Sequence, residues 1–108
     1  MEESRVNANE MKWRTAEGYP EGAMEKVLYK GTDAAPRSIL LKIEPGWTMD
    51  EHAHVHTELH YVIQGKYESQ GIEYPAGSFR MIPKHTNHGP FTTSEGAVVL
   101  IVWIESAG

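Results

Sequence analysis

Apolar and polar side chains alternate along this chain with the period of extended strands. Arg37–Glu44 (RSILLKIE) sets Ile39, Leu41 and Ile43 on one face and Ser38, Lys42 and Glu44 on the other, with Leu40 the one exception. Met24–Lys30 (MEKVLYK), Glu58–Gln64 (ELHYVIQ), Ser78–Ile82 (SFRMI) and Phe91–Thr93 read as further strands, and a first extended stretch covers Met11–Thr15. Lys66–Tyr74 predicts a hairpin turning near Gln70-Gly71, with Gly65 closing the strand before it. Ala97–Ile104 (AVVLIVWI) is the most apolar run and is expected at the centre of the core. Clusters of Gly, Pro, Asp and Ser separate these segments every eight to twelve residues or so, which predicts an all-β sandwich or barrel. No window predicts a helix. Residues 1–10 are polar and aperiodic, so a flexible N-terminus and a single domain over 11–108 are expected.

Composition narrows the function classes. A chain of 108 residues is long enough for one modest core. A net charge of −5 leaves no basic face for nucleic acid. The longest apolar run is too short to span a bilayer and the first residues lead into no apolar stretch, so a cytoplasmic protein without a membrane partner is expected. With no cysteine, any metal must be held by imidazole, carboxylate or water.

Histidine is where the chain departs from an ordinary β-domain. Four of its six histidines fall within residues 52–60, and the other two are His85 and His88. On an extended backbone His52 and His54 share one face, roughly 7 Å apart at Cα, and can converge on an ion about 2.1 Å from each nitrogen. Glu58 opens the next strand-like run and reaches the same ion after a bend at 55–57; His88 comes from another strand end, before Gly89-Pro90. The expected centre is three imidazoles and one carboxylate, with one or two positions left for water, dioxygen or substrate. A lone histidine in a half-buried strand is more often a hydrogen-bonded core residue, and an H-x-H pair alone is weak evidence. The spacing around the pair makes the case.

That spacing resembles the two cupin motifs. Gly46, His52, His54, Glu58 and Gly65 fill the first (glycine, five residues, H-x-H, three or four residues, glutamate, six residues, glycine) without a gap. Gly77, Pro83 and His88 match the second, whereas His85 replaces its usual second glycine and Thr92 its usual asparagine. The chain is similar to small single-domain, metal-binding cupins, and the wording Gly71–Gly77 is similar to a subgroup that includes an anti-sigma-factor cupin and ketone-cleaving dioxygenases. The resemblance implies a double-stranded β-helix (jelly-roll barrel), one divalent transition metal per chain (Fe, Mn, Zn, Ni, Co or Cu) on His52, His54, Glu58 and His88, and a homodimer paired through a sheet edge.

The remaining residues carry narrower expectations. His60 has the parity of Glu58 and is the candidate catalytic acid or base, with a supporting or structural hydrogen-bonding role as the alternative. His56 is expected at the rim, and His85 is a candidate for the cavity mouth. Arg80 anchors an anion only if its parity faces inward. Met49, Phe79, Met81 and Trp103 are expected in the cavity wall or core, and Trp47 at a rim or dimer contact. The function that the expected metal set and the cupin resemblance imply is a dioxygenase-like metalloenzyme acting on a small oxygenated molecule. The alternatives are a Lewis-acid isomerase or lyase, and a non-enzymatic metal-dependent binding or sensing module.

Overall fold

A computed structural model describes residues 2–33, 35–53 and 55–104. These form nine strands: β1 (Arg14–Thr15), β2 (Ala23–Tyr29), β3 (Arg37–Ile43), β4 (Thr48–Met49), β5 (Thr57–Ser69), β6 (Ile72–Pro75), β7 (Phe79–Ile82), β8 (Phe91–Thr92) and β9 (Ala97–Ile104). The one helical segment among them is a 3-10 turn at Ala8–Glu10, capped by the Asn7 side chain. No helix of the described residues is long and apolar enough to cross a membrane.

All pairings are antiparallel. One layer runs β1-β2-β3-β9-β5-β7 and the other places β4, β8 and β6 around the far half of β5. The layers curl around a core of Ile39, Leu41, Ile43, Val62, Val99 and Ile101, closed by Trp47, Tyr67 and Phe91. This is the cupin barrel that the motifs imply. As its composition predicts, β9 lies between β3 and β5 in the middle of the larger layer.

β5 differs from expectation in a way that shapes the site. The sequence reading closes this strand at Gly65, yet it runs on to Ser69. Glu58, His60 and Val62 are buried in the first half, Tyr67 and Ser69 in the second, so the inward parity changes from even to odd. The change is made by a register shift between Val62 and Gln64, followed by Gly65 at φ +73°. A bulge of this kind inserts one residue and turns the following side chains to the other face. Gly65 is required here, because a Cβ would overlap the Gly96 carbonyl across the ladder. The hairpin turn does fall at Gln70-Gly71, with both residues at positive φ, as a two-residue hairpin turn needs.

Three expectations about the wall are corrected. Phe79 and Met81 are exposed, because Arg80 and Ile82 take the inward positions of β7. Trp47 is buried instead of lying at a rim: its indole N–H donates to the Pro20 carbonyl at 3.2 Å, and its ring packs near Tyr19. Met49 and Trp103 pack against the core as expected.

Candidate metal centre

His52, Glu58, His60 and His88 line one cavity inside the barrel, with Tyr19, Trp47, Met49, Tyr67 and Phe91 among its other walls. It measures about 30 Å³, room for an ion with one or two waters. Three separate segments bring the candidate ligands there. Glu58 points inward from β5, whereas His52 and His88 are joined by an isolated antiparallel bridge. In that bridge the His52 N–H donates to the His88 carbonyl at 3.0 Å and the His88 N–H donates back at 2.8 Å. This pairing sets the two imidazole rings 4.3 Å apart. His54 lies outside the described residues.

The donor chemistry fits an ion. His52 Nδ1 lies 3.0 Å from the Asp50 carbonyl, which can only accept, so Nδ1 carries the proton and Nε2 keeps its lone pair. Glu58 Oε2 is 3.7 Å from His88 Nε2, beyond a hydrogen bond. Two donors about 2.1 Å from a shared ion lie roughly 3.0–3.4 Å from each other, so a small closure brings this pair onto one. Among the described residues no group of three or more His, Asp or Glu is arranged to hold an ion; the candidate set has His54 as its further member.

Behind Glu58 stands a chain of hydrogen bonds in which His60 takes the supporting place expected as its alternative role, joined by Tyr67, which the sequence does not point to, and by Arg80. His60 Nε2 is 3.0 Å from Glu58 Oε1, and His60 Nδ1 is 2.8 Å from the Tyr67 hydroxyl. Arg80, directly across the ladder from His60, reaches the same hydroxyl at 3.4 Å and lies 4.3 Å over the Tyr74 ring. Only one proton arrangement satisfies a neutral His60 beside an ionised carboxylate: Nε2–H donates to Glu58, and Nδ1 accepts from Tyr67. Burial pushes the Tyr67 phenol up to about 12, although Arg80 pulls the other way, so the hydroxyl keeps the proton that it donates. Arg80 thus faces inward but is engaged by Tyr67 and Tyr74. The signal for Tyr67 was hidden by the bulge, since from Glu58 onward unbroken alternation puts position 67 outside.

The other two histidines stand apart. His56 is half-buried in a groove with Arg37 and Trp103. His85 is exposed and does not line the cavity, against the expectation of a place at its mouth. It holds φ +63°, so the loop keeps the left-handed turn that the motif's usual glycine would make. The mouth is formed instead by Tyr19, Met49 and His52, which line both the cavity and an outer groove with Glu17, Asp50 and Glu51. Burial, helped by the Glu58 and Glu25 carboxylates, pushes the Tyr19 phenol above its usual range.

Comparison with known proteins places this geometry. Residues 1–106 match the family described as the ChrR cupin-like domain. No curated protein matches the chain in sequence. Among solved structures, KdgF from Halomonas sp. is 23% identical with a TM-score of 0.75, covering 95% of this chain and 96% of that one. An acetylacetone dioxygenase from Acinetobacter johnsonii is 14% identical with a TM-score of 0.76, covering 96% and 74%. The Rhodobacter sphaeroides complex of SigE with the anti-sigma ChrR matches at 22% identity and a TM-score of 0.70, covering 91% of this chain and 52% of that one, about half its length. At these identities the likeness is one of fold.

Proposed function

The chain belongs to the ChrR cupin-like family, and on that premise we propose that it holds one divalent transition metal on His52, His54, Glu58 and His88 and acts there on a small oxygenated molecule. The observation that carries this reading is the convergence of His52, Glu58 and His88 from three segments onto one cavity inside the barrel. His54 joins the set on its spacing from His52 and Glu58 alone.

With iron(II) or manganese(II) such a centre supplies dioxygen and enolate chemistry, and with zinc or nickel it supplies Lewis-acid polarisation of a carbonyl. The chain's own residues favour the first. Isomerisation or lysis calls for a side chain that moves a proton within reach of the substrate. His60, the residue expected for that task, has one ring nitrogen on Glu58 and the other on Tyr67. It is better suited to fixing the orientation and charge of Glu58 than to shuttling protons. A chelating enol or diol needs little more than an open ion and apolar walls, and Met49, Phe91, Val99 and Ile101 supply the walls. Because the cavity is small, a substrate enters past Tyr19 and Met49, and their side chains select for size.

A second reading, a metal-dependent binding or sensing module, is favoured by the same engagement of His60 and by the likeness in fold to an anti-sigma factor complex. The deciding experiment is elemental analysis of protein purified without chelator or polyhistidine tag, followed by dioxygen uptake on iron(II) loading with β-diketones, catechols and flavonols. Near one metal per chain, lost in His52→Ala and His88→Ala with circular dichroism unchanged, is expected. Uptake with a panel member supports the oxygenase; metal without uptake supports the module. Folded variants that retain the parent's full metal content overturn the reading.

A further inference from the structure

Each polar side chain of the cavity wall has a task, with one exception. His52, Glu58 and His88 belong to the proposed metal set, and His60 and Tyr67 bond to each other. The Trp47 N–H is engaged by the Pro20 carbonyl at 3.2 Å. The exception is Tyr19, which lines both the cavity and the outer groove, yet whose hydroxyl has no hydrogen-bond partner among the described residues. Its loop is anchored on both sides. The Ala16 N–H donates to the Ala23 carbonyl at 3.1 Å across the base of the loop, and Trp47 holds Pro20 next to Tyr19 itself. A donor fixed in advance needs no reorganisation when it meets an acceptor. Burial and the Glu58 and Glu25 carboxylates oppose ionisation of the phenol, with Arg37 acting the other way, so the hydroxyl keeps its proton.

Charge limits what can reach that hydroxyl. Among the described residues no lysine or arginine lines the cavity or the groove, and the groove carries Glu17, Asp50 and Glu51. Two arginines stand nearby, both engaged. Arg37 lies over the Trp103 ring and 3.8 Å from the buried Glu25 carboxylate, and Arg80 is held at Tyr67 and Tyr74. An anion therefore meets three carboxylates on its way in. A cation is disfavoured at the other end, because three imidazoles and one carboxylate leave a divalent ion with a net positive charge. We propose that the site takes an uncharged oxygenated molecule, one oxygen of which accepts a hydrogen bond from the Tyr19 hydroxyl. This rests on the metal reading above and adds to it a charge class and the residue that orients the substrate. A phenol that keeps its proton is a donor and not a base, so Tyr19 positions the molecule without moving a proton.

The test uses the full chain loaded with cobalt(II) without dioxygen, with binding read from the visible spectrum of the ion. Acetylacetone and acetoacetate serve as probes of similar size that differ in charge. Relative to cobalt(II) in plain buffer, the parent is expected to shift the preference toward acetylacetone by about tenfold at low salt. Glu17→Gln and added salt are each expected to shrink that preference. Tyr19→Phe removes only the hydroxyl and is expected to bind acetylacetone about three- to tenfold more weakly, with the parent's metal content and circular dichroism. The infrared carbonyl band of the bound probe is expected at lower frequency in the parent than in Tyr19→Phe, which reports the hydrogen bond itself. A metal-loaded parent with the same preference as plain buffer, or a Tyr19→Phe protein with the parent's affinity and band, overturns the inference and leaves the metal reading standing. A parent that takes up no metal overturns both.

Discussion

The Tyr67 hydroxyl lies 2.8 Å from His60 Nδ1, to which it donates when the neutral ring turns Nε2–H to Glu58, and this places a phenol behind the histidine that holds Glu58. Removing that hydroxyl leaves Nδ1 buried without its donor, and the imidazole is free to flip or change tautomer. Tyr67→Phe is therefore expected to weaken metal binding about tenfold or more, the usual effect of losing a partner behind a ligand. Competition against a chromophoric chelator measures it. Arg80→Gln, which acts one bond further out and through a longer contact, is expected to have a smaller effect.

Alkaline stability reports the same phenol. Burial raises the folded pKa of Tyr67 to about 12 from the ordinary phenol value of about 10, and that of Tyr19 further still. Between the unfolded and folded values the native state binds more protons than the unfolded one, so stability falls as pH rises. The contribution is fully present below pH 10 and is lost through about pH 12, at up to about 1.4 kcal/mol per pH unit for each tyrosine. Urea titrations at a series of pH values are expected to show a slope that is shallower in both Tyr67→Phe and Tyr19→Phe. An unchanged slope in both variants would contradict this account.

Much of the fold was legible because strand period and turn chemistry are local. Ile39, Leu41 and Ile43 alternate inward as written, and Ala97–Ile104 forms the central strand over its full predicted length. The positions of His52, Glu58 and His88 in one cavity followed from motif spacing, which encodes the barrel's connectivity. What could not be read depends on tertiary neighbours. The parity change at Gly65 depends on Gly96 approaching across the ladder, and its one local sign, Gly65 itself, reads equally well as the end of a strand. The outward turn of Phe79 and Met81 was hidden for a related reason: in SFRMI the amphipathic Arg80 takes the inward position, where aromatic rings and the Tyr67 hydroxyl receive its guanidinium.

Gly65→Ala tests whether the bulge is what joins the two halves of β5. Its φ of +73° disfavours any L-side chain, and the Gly96 carbonyl occupies the space a Cβ needs. The variant is expected to lose more than about 2 kcal/mol in urea denaturation, since backbone strain and a steric overlap act together. If the chain relieves the overlap by straightening β5, Tyr67 turns away from His60 and metal affinity falls with stability. A Gly65→Ala protein as stable as the parent would show that the ladder at Gly96 yields easily.

His85 separates a loop role from a ligand role. It replaces the glycine usual at this point of the motif and holds φ +63° with an exposed ring. His85→Gly removes the strain of that conformation but adds freedom to the unfolded chain, and the two effects nearly cancel, within about 0.5 kcal/mol. His85→Val puts a β-branched side chain in the left-handed region and is expected to cost about 1–2 kcal/mol. Metal content is expected to be the parent's in both, because the imidazole does not line the cavity. Thermal melts with elemental analysis check the pair. Loss of metal in His85→Gly at unchanged melting temperature would instead mean that this imidazole reaches the centre, and would reassign His85 as a ligand.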